Sequence, residues 1–175
     1  LGVAIGNGIE TSACIKILQG EKAPEDFTRV LETLAGWMVH LGGKARTAEE
    51  GIEKARRVIA DGSALEKYRL MAKWQGADPK VADDPDRHMP KAKLSKRILA
   101  KKGGYLTAME ARTVGFAAVA LGAGRAKAED AVDFGAGFIL ERKPGDKVKP
   151  GDLIATAYAS APGKLADGVK MFESS

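Results

Sequence analysis

Arg125 and Lys127 stand directly behind Gly122-x-Gly124, and Asp130 and Asp133 follow. Basic side chains beside a glycine turn can hold an anion, and nearby acids can tie them into an ion network. The dinucleotide-binding version of such a turn needs a strand before it and a third glycine. Here Val114, Ala117, Ala118 and Leu121 recur at i, i+3, i+4 and i+7, which predicts a helix instead. Ala126-Lys127 follows where the third glycine would help. The expectation is a helix stopped by glycine, with Arg125, Lys127, Asp130 and Asp133 pinning its end. The remaining candidates are few. His40 and His88 are the only histidines and lie far apart, with no Cys or His neighbours, so they do not compose a zinc site. Cys14, the only cysteine, sits in Ala13-Cys14-Ile15 and reads as a small core residue rather than a nucleophile.

The elements that must position these groups read as helical up to about residue 76. Ile9, Ala13, Ile17 and Leu18 keep helical spacing, and Gly20 ends that segment. A second helix opens at Ala23-Pro24-Glu25-Asp26, where Pro is tolerated and acids oppose the helix dipole. Phe27, Val30, Leu31, Leu34 and Met38 form its expected buried stripe, and Gly42-Gly43 close it. Thr47 with Glu50, and Ser63 with Glu66, have capping-box spacing and open a third and a fourth helix. Ile52, Ala55 and Ile59 are the expected inner face of the third helix. Leu65, Tyr68, Met71 and Ala72 play that part in the fourth.

Residues 77–90 are dense in Pro and Asp and read as a linker between two domains. Beyond it the pattern becomes mixed. Lys93–Ala100 and Tyr105–Met109 read as strands around Gly103-Gly104, and Phe138–Arg142 and Leu153–Tyr158 as a strand pair. Two Lys-Pro-Gly-Asp turns, at 143–146 and 149–152, bracket Lys147-Val148; Pro presets the first corner and Gly supplies positive φ at the second. Lys164–Phe172 reads as a last short helix.

At 175 residues the chain is long enough for a core, with ordinary apolar and charged fractions of 45% and 29%. The net charge of +5 comes from bases interleaved with acids, without aromatic-basic alternation, so no nucleic-acid partner is expected. No apolar run could cross a bilayer, so no membrane partner is expected either. The single cysteine suits a reducing cytoplasm.

Five stretches, in order, resemble the C-terminal part of the thymidine and pyrimidine-nucleoside phosphorylases. They are Leu1-Gly2-Val3-Ala4-Ile5-Gly6-Asn7-Gly8-Ile9-Glu10, Leu41-Gly42-Gly43-Lys44-Ala45, Val81-Ala82-Asp83-Asp84-Pro85, the Arg112-to-Asp133 stretch with Leu121-Gly122-Ala123-Gly124-Arg125, and Gly145-Asp146-Lys147-Val148 to Gly151-Asp152-Leu153-Ile154-Ala155. The resemblance implies an α/β and α+β protein. Residues 1–76 would be the helical part of a large α/β domain, 77–90 a linker, and 91–175 a small α+β domain of hammerhead or barrel-sandwich-like shape. It implies reversible phosphorolysis of pyrimidine nucleosides, including thymidine, with phosphate as co-substrate and no organic cofactor. The family's catalytic and substrate-binding residues lie upstream of Leu1, so none is expected in this chain, and the chain alone is expected to be inactive. The resemblance also implies a monovalent or calcium cation held by main-chain carbonyls at positions matching Leu1 and Ala4, with Ala13 where the family has an acid. The parent is expected to be a cytoplasmic homodimer. The alternative reading is a non-catalytic carrier-like or scaffold module, since the glycine-aspartate turns also resemble biotin- and lipoyl-carrier domains, although no Ala-Met-Lys-Met-type motif occurs here.

Overall fold

A computed structural model describes residues 2–125 and 127–175. The described residues divide into two compact units: residue 2 with 12–88, and residues 3–11 with 89–175. In the first unit, most of helix α1 (Gly8–Leu18) is followed by α2 (Glu25–Leu41), α3 (Ala48–Ala60) and α4 (Ser63–Trp74). The Pro/Asp-rich stretch then forms a 3-10 turn at Pro79–Ala82 and a short helix α5 (Pro85–His88). Val81 and Ala82 are buried there, and Gln19 of α1 donates to the Ala82 carbonyl at 2.8 Å.

Helix α2 lies on α3 through glycine. A Cβ placed on Gly51 would stand 2.2 Å from the Gly36 carbonyl oxygen. One on Gly36 would meet Ile52 at 2.4 Å and the Ala48 carbonyl at 2.7 Å. Arg56 of α3 closes the edge of this seam with ion pairs to Glu32 at 2.6 Å and Glu53 at 2.7 Å. The seam corrects the stripe expected from the sequence. Val30, Leu34 and Met38 are exposed, and the buried residue of α2 is Gly36. Apolar periodicity marks the arc with the largest side chains, whereas the tightest helix contact selects the residue with none. Met71 of α4 is likewise exposed, while Ala72 is buried.

Capping follows the sequence in part. The Thr47 hydroxyl accepts from Glu50 N at 3.2 Å, but the Glu50 carboxylate turns back to Arg46 N at 2.8 Å. Ser63 does not cap α4. Gly62 takes the cap position at φ 79°, and Asp61 accepts from Ser63 N at 2.9 Å.

The second unit is α+β. Its main sheet has the order β1 (Ala4–Gly6), β4 (Gly137–Leu140), β6 (Leu153–Ala159), β2 (Leu94–Leu99), and every pair is antiparallel. A two-stranded sheet pairs β3 (Gly104–Tyr105) with β5 (Lys147–Val148). The strands expected on either side of Gly103-Gly104 are therefore not partners: β2 joins β6 and the shortened β3 joins β5. β1 also falls in the region that reads as helical, because three residues between glycines carry too little periodicity to show. Both Lys-Pro-Gly-Asp turns close alike. Gly145 and Gly151 take φ of 101° and 87°, and Asp146 and Asp152 accept from Lys143 N and Lys149 N at 2.8 and 2.9 Å.

Helices α6 (Ala111–Leu121) and α7 (Pro162–Phe172) belong to this unit and share a core with the sheet. Phe138 is fully buried and stacks on Phe172 with 4.8 Å between centroids.

The glycine seam yields a paired expectation. Gly51→Ala drives a Cβ into backbone that cannot swing aside and is expected to cost about 1–3 kcal/mol. Gly115→Ala, in α6 with open space at the Cβ position, is expected to stabilise by up to about 1 kcal/mol through helix propensity. Thermal or urea unfolding of both variants checks this, and equal effects would count against the seam.

Candidate functional site

The loop from α6 to β4 carries the side chains that invited a ligand reading. The helix before it opens on Glu110, whose carboxylate caps the α6 N-terminus by accepting from Thr113 N at 2.5 Å and Arg112 N at 3.0 Å. These hydrogen bonds, with those to Thr113 foremost, hold the Glu110 carboxyl below its ordinary value of 4.5. Val114, Ala117, Ala118 and Leu121 then bury the inner face of α6, as their spacing predicts. Gly122 ends the helix at φ 105°, in the left-handed region that glycine enters without strain. Gly124 is needed for space, since a Cβ there would lie 2.8 Å from a Val119 methyl.

The loop is held largely by its own backbone. Asp133 N donates to the Gly122 carbonyl at 2.8 Å, and the Asp133 carboxylate accepts from Gly135 N at 3.0 Å. The Asp130 carboxylate accepts from Lys127 N at 2.9 Å. Asn7, between β1 and α1, donates its side-chain amide to the Ala123 carbonyl at 2.5 Å, and Gly8 N donates to Phe134 O at 2.9 Å. Both aspartates thus tie down turns, which supports a structural reading. The polarity of the site points the same way. A helix C-terminus presents carbonyl oxygens and partial negative charge, whereas anions collect at N-termini.

Beside this loop, α6 and α7 leave an open cleft of about 710 Å³, lined among others by Thr113, Phe116, Val119, Asp130, Lys164 and Met171. Its walls are mainly apolar, with Lys164 and Asp130 as charged groups.

The other candidates stay apart. The His40 ring contacts the Ala45 carbonyl at 3.1 Å through Nδ1 and meets Trp37 edge-on, so it braces the end of α2. His88 is exposed at the end of α5. Among the described residues no three His, Cys, Asp or Glu side chains gather as metal ligands. Cys14 is exposed, which corrects its expected place in the core; Ile15 beside it is the residue fully buried. Lys147 lies in a strand ladder with its ammonium 6.0 Å from the Tyr105 ring centroid, not at the tip of a hairpin.

Of the two main-chain positions considered for a cation, Leu1 lies outside the described residues. Ala4 belongs to β1, at the sheet edge. Leu140 N donates to Val3 O at 2.8 Å, and Ala4 pairs with Ile139. In an antiparallel ladder hydrogen-bonded and non-bonded pairs alternate, so the Ala4 carbonyl is directed away from β4. A hard cation takes such oxygens, and in that respect Ala4 fits. Ala13 supplies no carboxylate, and Glu10 accepts from Gly6 N at 2.9 Å.

Comparison with known proteins agrees with this architecture. Residues 105–175 match the family model described as the pyrimidine nucleoside phosphorylase C-terminal domain. The chain is 41% identical over 160 residues to a pyrimidine-nucleoside phosphorylase of Geobacillus stearothermophilus and to one of Bacillus subtilis; this covers 91% of the chain and 36% of each relative. It is 39% identical over 175 residues to the Staphylococcus aureus pyrimidine-nucleoside phosphorylase, covering all of the chain and 40% of that protein. The chain therefore spans well under half the length of these relatives, and what it matches is their C-terminal portion.

Glu110 caps the start of α6 and Asn7 holds the loop at its end, neither with a strong sequence signal. Because the folded carboxyl of Glu110 titrates below its unfolded value, its contribution is present above about pH 4.5 and is lost as pH falls through the folded value. Glu110→Gln is expected to lower the melting temperature at pH 7 and to flatten the fall in stability below pH 5 relative to the unsubstituted chain. Parallel melting curves across pH 3–7 would contradict the cap.

Proposed function

We propose, on the premise that this chain belongs to the pyrimidine-nucleoside phosphorylase family, that it is the C-terminal part of an enzyme that catalyses reversible phosphorolysis of pyrimidine nucleosides. The observation that carries this reading is the match along the whole chain to the C-terminal portion of relatives bearing that name. In the reaction, a phosphate oxygen attacks the anomeric carbon as the glycosidic bond breaks. The base departs with the bonding electron pair, and the products are the free base and a pentose 1-phosphate. Charge builds on the sugar as in other glycosyl transfers. Holding phosphate in line and stabilising charge on the departing base would supply most of the rate.

Those tasks fall to the segment that precedes residue 1. The α6–β4 loop is a structural connection, because its aspartates are engaged with backbone amides and its helix presents the wrong end to an anion. The role of this part is mechanical: a folded body that carries one wall of a cleft through the domain movement of the parent. Phosphate is the co-substrate, no organic cofactor takes part, and a monovalent or calcium cation at the β1 edge would fasten that strand to preceding chain. Thymidine and uridine are both reasonable substrates, and salvage of nucleosides by a cytoplasmic homodimer is the setting this implies. No helix among the described residues is long and apolar enough to cross a membrane.

The test is phosphate-dependent release of uracil from uridine and thymine from thymidine. A polypeptide that includes the preceding segment is expected to release base only when phosphate is present. The 175-residue chain alone is expected to release none. Turnover by the short chain would overturn the reading and redirect attention to Arg125, Lys127 and Asp130.

A further inference from the structure

Over the whole chain basic residues interleave with acids, but unit by unit they do not. The first unit carries thirteen Lys or Arg against thirteen Asp or Glu. The second carries fifteen against ten, so the net charge of +5 belongs entirely to it. The excess is concentrated in one run. Lys91, Lys93, Lys96, Arg97, Lys101 and Lys102 stand close together, and no acid occurs between Asp86 and Glu110. All six are exposed. Among the described residues, Lys101 alone of the six has an ion-pair partner, Glu173 at 2.7 Å.

The fold turns this run into a surface. β2 is the last strand of the main sheet. The chain beyond it lies against the second Lys-Pro-Gly-Asp turn: Ala100 N donates to Asp152 O, and Gly151 N to Ala100 O, both at 2.8 Å. Tyr105 then pairs with Lys147. Lys147 and Lys149, both exposed, thereby join the six from a distant part of the chain. Asp146 and Asp152 are the acids of these turns, and their carboxylates point to the Lys143 and Lys149 amides. Tyr105 is 65% exposed, and the Lys147 ammonium lies 6.0 Å from its ring centroid. The aromatic group beside cations that the linear sequence lacks is supplied by strand pairing.

We propose that β2, the turn after it and the β3–β5 ladder form a binding surface for single-stranded nucleic acid. The Lys and Arg side chains neutralise successive phosphates, and Tyr105 takes a nucleobase on its ring. β2 alone spans roughly 20 Å at about 3.3 Å per residue, enough to track several phosphates. Lysines on an edge strand also keep foreign strands from pairing. That need is met by Lys96 within the strand. It does not call for the lysines at 101, 102, 147 and 149, nor for an uncovered tyrosine among them. An acidic peptide would use the charge and leave the ring unused.

The test uses the longer polypeptide that includes the segment before residue 1, titrated against a fluorescent oligodeoxyadenylate, which offers no pyrimidine to the site for nucleosides. Anisotropy between about 50 and 200 mM salt is expected to give a log affinity against log salt slope of about −3, the value for about four phosphates on a single strand. Lys96→Gln with Lys102→Gln is expected to make that slope shallower by about 1.4. Lys22→Gln with Lys67→Gln removes the same charge from exposed positions of the first unit, and is expected to leave slope and affinity unchanged. Tyr105→Ala is expected to weaken binding by about fivefold or more at constant slope, and Tyr105→Phe to restore it. Absence of saturable binding at the lower salt would overturn the proposal. Equal losses in the control pair would overturn it too, since the effect would then be one of net charge. Polyglutamate competing as well as the oligonucleotide, with Tyr105→Ala silent, would assign the surface to an acidic peptide instead.

Discussion

The second unit depends on Phe138. It sits in β4, between β1 and β6, and its ring is closed over by Phe172 of α7 at 4.8 Å. Burying a side chain of this size stabilises by about 1.5–3 kcal/mol, and the ring pair adds about 0.5–1.5 kcal/mol beyond area. Its neighbours on the β6 side are small: Phe138 pairs there with Ala157, and Ala155 and Ala159 are also fully buried, while Ile5 is its partner on β1. Small strand residues let the helices come down on the sheet. Gly168 of α7 shows how close the two helices come, since a Cβ there would meet Leu121 of α6 at 2.4 Å. Once β4 is fixed in this way, the loop before it is fixed too, and Asp133 N can reach the exposed end of α6.

That arrangement favours a structural role for the loop. A glycine pair followed by bases and acids contains the ingredients of an anion site, and the resemblance to a phosphorylase makes phosphate an attractive ligand. The geometry favours the structural reading. The glycines end a helix, so the nearby backbone offers acceptors, and the carboxylates face amide hydrogens a few residues away. The loop's role is to join a helix to the central part of the sheet without slack.

Much of this was legible in the sequence, for physical reasons that can be named. Helix α6 was readable because its inner face is a regular apolar stripe closed by a glycine that must adopt positive φ. The Lys-Pro-Gly-Asp turns were readable because their residue types each force one corner. What was not legible depended on distance in space. Nothing local says that Asn7 reaches Ala123, or that β2 pairs with β6 rather than β3. The α2 stripe was misread for a different reason. Periodicity reports which arc is apolar, not which neighbour covers it, and the contact present here is made by Gly36 and Gly51. The exposed Cys14 beside the buried Ile15 shows the same limit at the scale of one residue.

The proposal these observations support is a folded C-terminal body whose chemistry lies in chain that precedes it. The intact mass of the polypeptide that the source cell makes, measured alongside its phosphorolysis of uridine and thymidine, tests that most directly. Since the chain spans 40% of a relative, the expected mass is about two and a half times 18.5 kDa, with base released only when phosphate is supplied. A polypeptide of 18.5 kDa that turns over nucleoside by itself would contradict it.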